Sequence, residues 1–292
     1  MQSTTIRIFE GATAIVTGGA SGIGRALAEE LAKRGCEVVL ADLQIELAEK
    51  AVSEINASGG KAKAVKIDVT DFSAMDHLVQ ETVARTGRLD FIFNNAGIVI
   101  GGPVNRLGIE DWNQIVDVNL RGVINGIQAT YQIMMKQGFG HIINTASMAG
   151  LLVGPGNVPY TTTKYAVIGL SKSLRAEAAQ FGIRVSVLCP GVVRTPILEG
   201  GGKYGKMLID APPEELRRML ERLRPISPNL FAKKVLKSVA KNKAIIIVPS
   251  WWKGFWWIHR LSPSLGIFLA QKRFQNIQKE LGMVRGRFGG RA

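Results

Sequence analysis

The sequence predicts a doubly wound α/β fold: a seven-stranded parallel sheet with helices on both faces, followed by a C-terminal helical extension. Three observations carry this expectation. Seven short apolar runs alternate with helical patterns over residues 12–250, the runs are continuously apolar as in EVVLAD (37–42), and a glycine-rich turn joins the first run to the first helix. Parallel strands require crossovers, and right-handed crossovers place helices on both faces of the sheet.

The first strand is ATAIVTG (12–18), which runs into GASGIG (19–24) and a helix over 23–33 that offers Ala26, Leu27, Ala28 and Leu31 for packing and stops at Gly35. EVVLAD is followed by a helix over 43–57, the strand AKAVKIDV (62–69), a helix over 72–86 and the strand LDFIFNNAG (89–97). A helix over roughly 110–137 precedes HIINTAS (141–147), a helix opened around Tyr160 runs to Phe181, and RVSVLCPG (184–191) and AIIIVPS (244–250) complete the set. The segment 192–228 interrupts the alternation, with glycines at 200–202 and then PPEELRRMLERLRP, a short amphipathic helix opened by Glu214 and Glu215. The expected organisation is one catalytic domain over 1–250 with 192–228 as its substrate-loop segment, an aromatic and basic extension over 251–281, and a tail over 282–292 without fixed structure.

A chain of 292 residues with 46% hydrophobic content can bury a sizeable core. Its net charge of +14 is uneven: residues 241–292 carry +9 of it, which favours anionic partners and says little about fold. Cys36 and Cys189 lie in or beside apolar runs, as buried free thiols do, and fit a reducing setting. His77, His141 and His259 are scattered and no cluster has ligand spacing, so no metal is expected. The N-terminus lacks a basic segment followed by a long apolar run, so the expected location is cytoplasmic. No nucleic-acid-reading motif is present, and specific nucleic-acid binding is not expected.

TGGASGIG places Gly18, Gly22 and Gly24 between a strand and a helix, where backbone amides and a helix N-terminus meet a pyrophosphate; Ser21 and Ile23 belong to the same turn. Asp42 ends the second strand, where a carboxylate can accept from both ribose hydroxyls of an adenosine and repel a 2′-phosphate, which favours NAD(H) over NADP(H). The same residue can cap the next helix. Tyr160 and Lys164 are four apart on a helix and share a face, so a fixed ammonium can favour the phenolate and let Tyr160 pass a proton.

These motifs resemble those of the short-chain dehydrogenase/reductase family. TGGASGIG, Asp68 with Val69, NNAG (94–97), Asn119 in DVNLRG, Ser147, Tyr160 with Lys164, and PGVVRTP (190–196) occur in that family's order and approximate spacing, and the likeness spans about 10–250. The resemblance implies a nicotinamide-dependent oxidoreductase on a Rossmann-like sheet, commonly a homodimer or homotetramer. It implies Tyr160 as general acid or base, Lys164 as ribose ligand that also lowers the tyrosine pKa, Ser147 as partner of the substrate oxygen, and Asn119 as holder of a water continuing the proton path. It further implies Asp68 and Val69 beside the adenine, Asn95 near the adjoining ribose, and Val193 with Thr195 at the nicotinamide carboxamide. The expected reaction is hydride transfer between NAD(H) and a hydrophobic secondary alcohol or ketone. The alternative is a non-catalytic dinucleotide-binding module docked to a membrane or partner by its C-terminal arm.

That arm, WWKGFWWIHRLSPSLGIFLAQKRF (251–274), departs from the family pattern. On a helix Trp252, Phe255, Trp256 and His259 form one side; Pro263 then separates a second helix with Leu265, Phe268 and Leu269 apolar and Lys272, Arg273 and Lys279 basic. Three readings stay open: peripheral contact with a membrane surface, a lid over a hydrophobic pocket, or a subunit-interface arm. A run long and apolar enough to span a bilayer is absent.

Overall fold

The computed structural model describes residues 5–199, 204–208 and 213–280. The expected glycine-rich stretch at 200–202 and the tail at 282–292 lie outside them. Nine strands occur in chain order among the described residues: β1 Thr13–Thr17, β2 Glu37–Asp42, β3 Lys61–Lys66, β4 Phe91–Asn94, β5 Val99–Gly101, β6 Gly140–Thr145, β7 Ile183–Pro190, β8 Gly205–Met207 and β9 Ile245–Val248. The helices are α1 Gly22–Lys33, α2 Ile45–Ala57, α3 Phe72–Thr86, α4 Ile109–Val116, α5 Gly122–Gln137, α6 Val158–Ala178, α7 Pro213–Glu221, α8 Pro228–Ala240, α9 Trp252–Leu261 and α10 Pro263–Glu280.

Seven strands form one all-parallel sheet in the order β3-β2-β1-β4-β6-β7-β9, the Rossmann-like arrangement expected. From β1 the chain winds outward to β3, then returns to β4 and winds the other way. The crevice at this reversal, beyond the carboxyl ends of β1 and β4, is where ligands bind in open α/β sheets. Each face has its own core. Leu27 and Leu31 of α1, Ile55 of α2 and Phe231 of α8 cover one, while Met75 of α3, Ile127 of α5 and Val167 of α6 cover the other.

Two departures from the expected elements matter for the site. The helix expected over 110–137 carries a π-helical turn at Asp117–Arg121, with Asn119 at its centre, so α4 and α5 are offset around that residue. The second departure is a two-stranded parallel pair, β5 with β8, that ties the 192–228 segment to the stretch after β4. Gly205 makes the pair: its φ is +122, and a Cβ there would collide with the Val99 carbonyl.

Candidate active site

Five strand ends on the crevice supply residues singled out from the sequence. Gly18 follows β1, Asp42 ends β2, Asn95 follows β4, Ser147 follows β6, and Val193 and Thr195 follow β7. Gly18 sits at φ +64, and a Cβ on it would lie 2.9 Å from the Ala96 Cα. A Cβ on Gly24 would strike the Gly18 carbonyl, so the turn closes tightly only with glycine at both positions. The result is a close-packed turn leading into the N-terminus of α1, of the shape that receives a pyrophosphate.

The Asp42 carboxylate is 8% exposed. One oxygen accepts from the Ala20 amide at 2.9 Å and the other from the Gln44 amide at 2.9 Å, locking the turn to the end of β2. Helix α2 starts at Ile45 with Gln44 in the capping position, so Asp42 forms a tight turn ahead of the helix and is not its cap. Asp68 is exposed, and one of its oxygens accepts from the Thr70 amide at 2.9 Å and hydroxyl at 2.8 Å. Val69 is buried against Gly122, with its carbonyl accepting from Asn125 at 2.8 Å. Asn95 donates to the Thr17 carbonyl at 3.1 Å, and the Thr17 hydroxyl accepts from the amides of Asn95 and Ala96 at 2.9 and 3.0 Å. Thr17 was not singled out beforehand, although it immediately precedes the glycine turn; its role depends on a neighbouring strand.

On the other side of the crevice Ser147 opens the short turn Met148–Gly150, accepting from the Ala149 amide at 3.1 Å. A Cβ on Gly150 would lie 2.5 Å from the Lys164 carbonyl, so glycine lets this turn press against the backbone of α6. Helix α6 presents Tyr160 in its first turn and Lys164 one turn on, with the Lys164 ammonium 5.4 Å from the Tyr160 ring centre. Lys164 is 3% exposed and donates to the Thr145 carbonyl at 3.0 Å. Burial pushes its pKa down to about 8, with Cys189 acting weakly in the opposite sense. Burial pushes the Tyr160 phenol upward, and hydrogen bonding to Ser147 draws it partly back. Desolvation thus outweighs the Ser147 hydrogen bond at the phenol.

Asn119 is fully buried at the π-turn. Its side-chain oxygen accepts from the Ile98 amide at 2.8 Å and its nitrogen donates to the Ile98 carbonyl at 2.9 Å. The backbone-bonding role open to a residue at a helix kink is therefore present. Asn119 also faces Lys164: the position a Cβ would take on Gly97 lies 3.1 Å from the Asn119 oxygen and 3.6 Å from the Lys164 ammonium. Val193 is buried, and Thr195 packs over Gly22 while its hydroxyl donates to the Val193 carbonyl at 3.3 Å.

A cavity of about 1310 Å³ opens beside these groups. Its wall begins at Leu152–Asn157, the loop joining Ser147 to Tyr160, and at Thr195, and is continued by Leu220 and Leu223, by Phe255 and Ile258 of α9, and by Leu269 and Phe274 of α10. Ser147 and Tyr160 themselves stand beside the wall and not in it. The C-terminal helices thus form one wall of a mostly apolar, half-open cavity. Arg194 and Glu221, joined at 2.5 and 2.8 Å, fasten the β7 loop to α7 across this chamber, a pairing with no local sequence signature. Among the described residues, no group of three or more His, Cys, Asp or Glu side chains is placed to hold a metal ion. Cys36 and Cys189 are free and buried, and burial raises both thiols to about 12.

A strand-end site of this kind on a doubly wound sheet defines a class of dinucleotide-binding oxidoreductases. The model of the short chain dehydrogenase family matches residues 12–203. An uncharacterized oxidoreductase of Listeria innocua, Lin0452, is 43% identical over 187 residues, covering 63% of this chain and 75% of the relative. The 2,5-dichloro-2,5-cyclohexadiene-1,4-diol dehydrogenase LinX of Sphingobium indicum is 40% identical over 187 residues, 64% of this chain and 75% of LinX. Among solved structures, a short chain dehydrogenase/reductase from Burkholderia phymatum in complex with NAD superposes with a TM-score of 0.80 at 28% identity, covering 89% of this chain and 96% of that one. The chain belongs to the short-chain dehydrogenase/reductase family of NAD(P)-binding oxidoreductases.

Proposed function

We propose that the protein interconverts a hydrophobic secondary alcohol and its ketone with NAD(H). The observation that carries the reading is the meeting of Ser147, Tyr160 and Lys164 beside the 152–157 loop, which lines the apolar cavity. A bound nicotinamide supplies or accepts the hydride. The chain's own work is to hold the substrate oxygen and move its proton, because alkoxide character grows on that oxygen as hydride leaves or arrives. Tyr160 exchanges the proton, Ser147 steadies the oxygen, and Lys164 binds ribose hydroxyls. Asn119 positions a water beside Lys164, a role supported by their shared approach to the space over Gly97.

Gly18, Ser21, Gly22, Ile23 and Gly24 hold the pyrophosphate, Asp42 the adenosine ribose, Asp68 and Val69 the adenine, Asn95 the adjoining ribose, and Val193 with Thr195 the carboxamide. Preference for NAD(H) is supported by the buried Asp42 carboxylate, whose oxygens each keep a free lone-pair direction after one backbone contact. The proposed division keeps a catalytic domain over 1–250 and an arm over 251–281. A cytoplasmic homodimer or homotetramer is part of the reading, supported by exposed Ile124 on α5 and Tyr165 on α6, and light scattering would test it.

The test of the chemistry is NADH formation across a panel of secondary alcohols. Tyr160→Phe is expected to lower kcat by about 10²–10⁴-fold with NADH affinity retained; undiminished turnover would sink the assignment. The non-catalytic alternative is not favoured, since it gives the converging proton-transfer groups no task. Contact of the arm with an anionic membrane has one observation behind it: Trp257, Leu261 and Phe268 are exposed beside Lys253, Arg260 and Lys272. Equal, negligible sedimentation of the full chain with anionic and neutral vesicles would remove it.

A further inference from the structure

Helix α10 turns Gly266, Leu269, Ala270, Arg273, Phe274 and Ile277 toward the cavity, a stripe with the three-and-four spacing of one helical face. Arg273 is its only charged member. The other charged side chains of the cavity wall, Arg194 and Glu221, neutralise each other through their two contacts. His259 packs its ring against Gly266. Among the described residues, Arg273 has neither a hydrogen bond nor an ion pair.

Arg273 is exposed at the cavity rim, and two contacts of neighbouring residues hold its turn of α10 there. The adjacent Phe274 ring lies 3.3 Å from where a Cβ on Gly156 would be, which places this turn of α10 against the loop leading to Tyr160. Nearer the C-terminal end of α10, Glu280 pairs with Arg222 at 2.9 Å and fastens the helix beside α7. A guanidinium stays charged at every working pH and presents a planar fork of donors matched to a carboxylate. Among the described residues the rest of the wall is apolar, internally neutralised or, at Asn157, Thr195 and His259, polar without a carboxylate, so that fork selects a ligand with an anionic end.

The geometry points to a substrate that is an apolar alcohol or ketone carrying a carboxylate remote from the reacting carbon, with Arg273 pairing the carboxylate and setting specificity. This rests on the reading of the cavity as the substrate site, so its test is binding, which needs no turnover. The full-length protein, saturated with NADH, is titrated calorimetrically with a long-chain fatty acid, its methyl ester and an alkyl phosphate of equal length. The acid is expected to bind at least about 10-fold more tightly than the ester.

Arg273→Gln is expected to bring that ratio near unity while NADH affinity is unchanged. Lys272→Gln, which removes a neighbouring cation stacked on Phe268 outside the cavity wall, leaves the ratio intact. Equal binding of acid and ester, binding of neither, or a ratio that survives Arg273→Gln overturns the inference. Tighter binding of the phosphate than of the acid overturns the carboxylate assignment. A persistent acid preference in a protein that oxidises no alcohol would instead count against the proposed reaction.

Discussion

The crevice and the C-terminal arm meet the same cavity from opposite sides and are held in opposite ways. In the crevice, Asn119 and Lys164 are almost wholly buried and bonded to backbone carbonyls, and Asp42 is clamped by two amides. In the arm, α10 buries no residue, and Leu261 at the end of α9 is 80% exposed. The family model ends at residue 203, well before the arm begins. On the proposed reading, chemistry sits where the backbone over-determines each side chain, while much of the wall facing the substrate is carried on α10, which buries no residue. A reaction needs fixed donors, whereas a change of substrate needs only a change of wall.

The sharpest way to break this contrast is at Trp252, the one buried residue of α9, which belongs to the core against β7 and is stacked on Trp251 at 4.6 Å. Trp252→Ala is expected to destabilise the protein by about 3–5 kcal/mol in urea titrations, and Leu261→Ala by less than about 0.5 kcal/mol. Similar costs would mean that the arm is as integral to the fold as the sheet. Next in size is truncation after Leu261, which removes α10 and leaves Trp252 in place. We expect kcat/KM for a bulky apolar alcohol to fall on the order of 100-fold, while a small secondary alcohol changes less than about 3-fold. Equal losses would assign α10 to the catalytic geometry. Asp42→Asn tests the clamped side: the ratio of NADH to NADPH affinity is expected to fall at least about 10-fold in fluorescence titrations, since like-charge repulsion of the 2′-phosphate is lost.

The same contrast separates what the sequence made legible from what it hid. Most of the sheet strands announce themselves because strands covered on both faces are largely apolar, the edge strand β3, KAKAVK, being the partly exposed exception, and α3 appears at 72–86 as expected because Asp71 caps it and Gly87 ends it. Gly18, Gly24 and Asp42 were legible because turn chemistry is local. The π-turn at Asn119 was not, since hydrophobic periodicity does not register one inserted residue. Nor was the β5–β8 pairing, which joins two three-residue strands about a hundred residues apart and shows no alternation. The upward direction of the Tyr160 pKa depends on how fully the folded chain desolvates the phenol, which four-residue spacing cannot report. For the arm, composition identified two amphipathic helices, but which face met the cavity depended on contacts with the 152–157 loop and α7.

The smallest effect expected is in the pH dependence, and it divides the two regions again. On the proposed mechanism, ketone reduction needs a protonated Tyr160 beside a charged Lys164. Burial raises the phenol, which therefore keeps its proton well above neutrality, and lowers Lys164 to about 8, so the lysine is the first of the pair to titrate as pH rises. Its ammonium is present below about 8 and lost above it, so kcat/KM for reduction is expected to drop by about half by pH 8 and to keep falling. Arg273, by contrast, lies on the arm's wall of the cavity and takes no part in that proton exchange, so the preference for an acid over its ester is expected to be constant across the same range. Because Lys164 is held at the end of β6 by the Thr145 carbonyl and does not line the cavity that the arm walls, truncation after Leu261 should leave the midpoint in place. A midpoint that moved toward the ordinary lysine value on truncation would show that α10 keeps water from Lys164, and the two regions would then be one site.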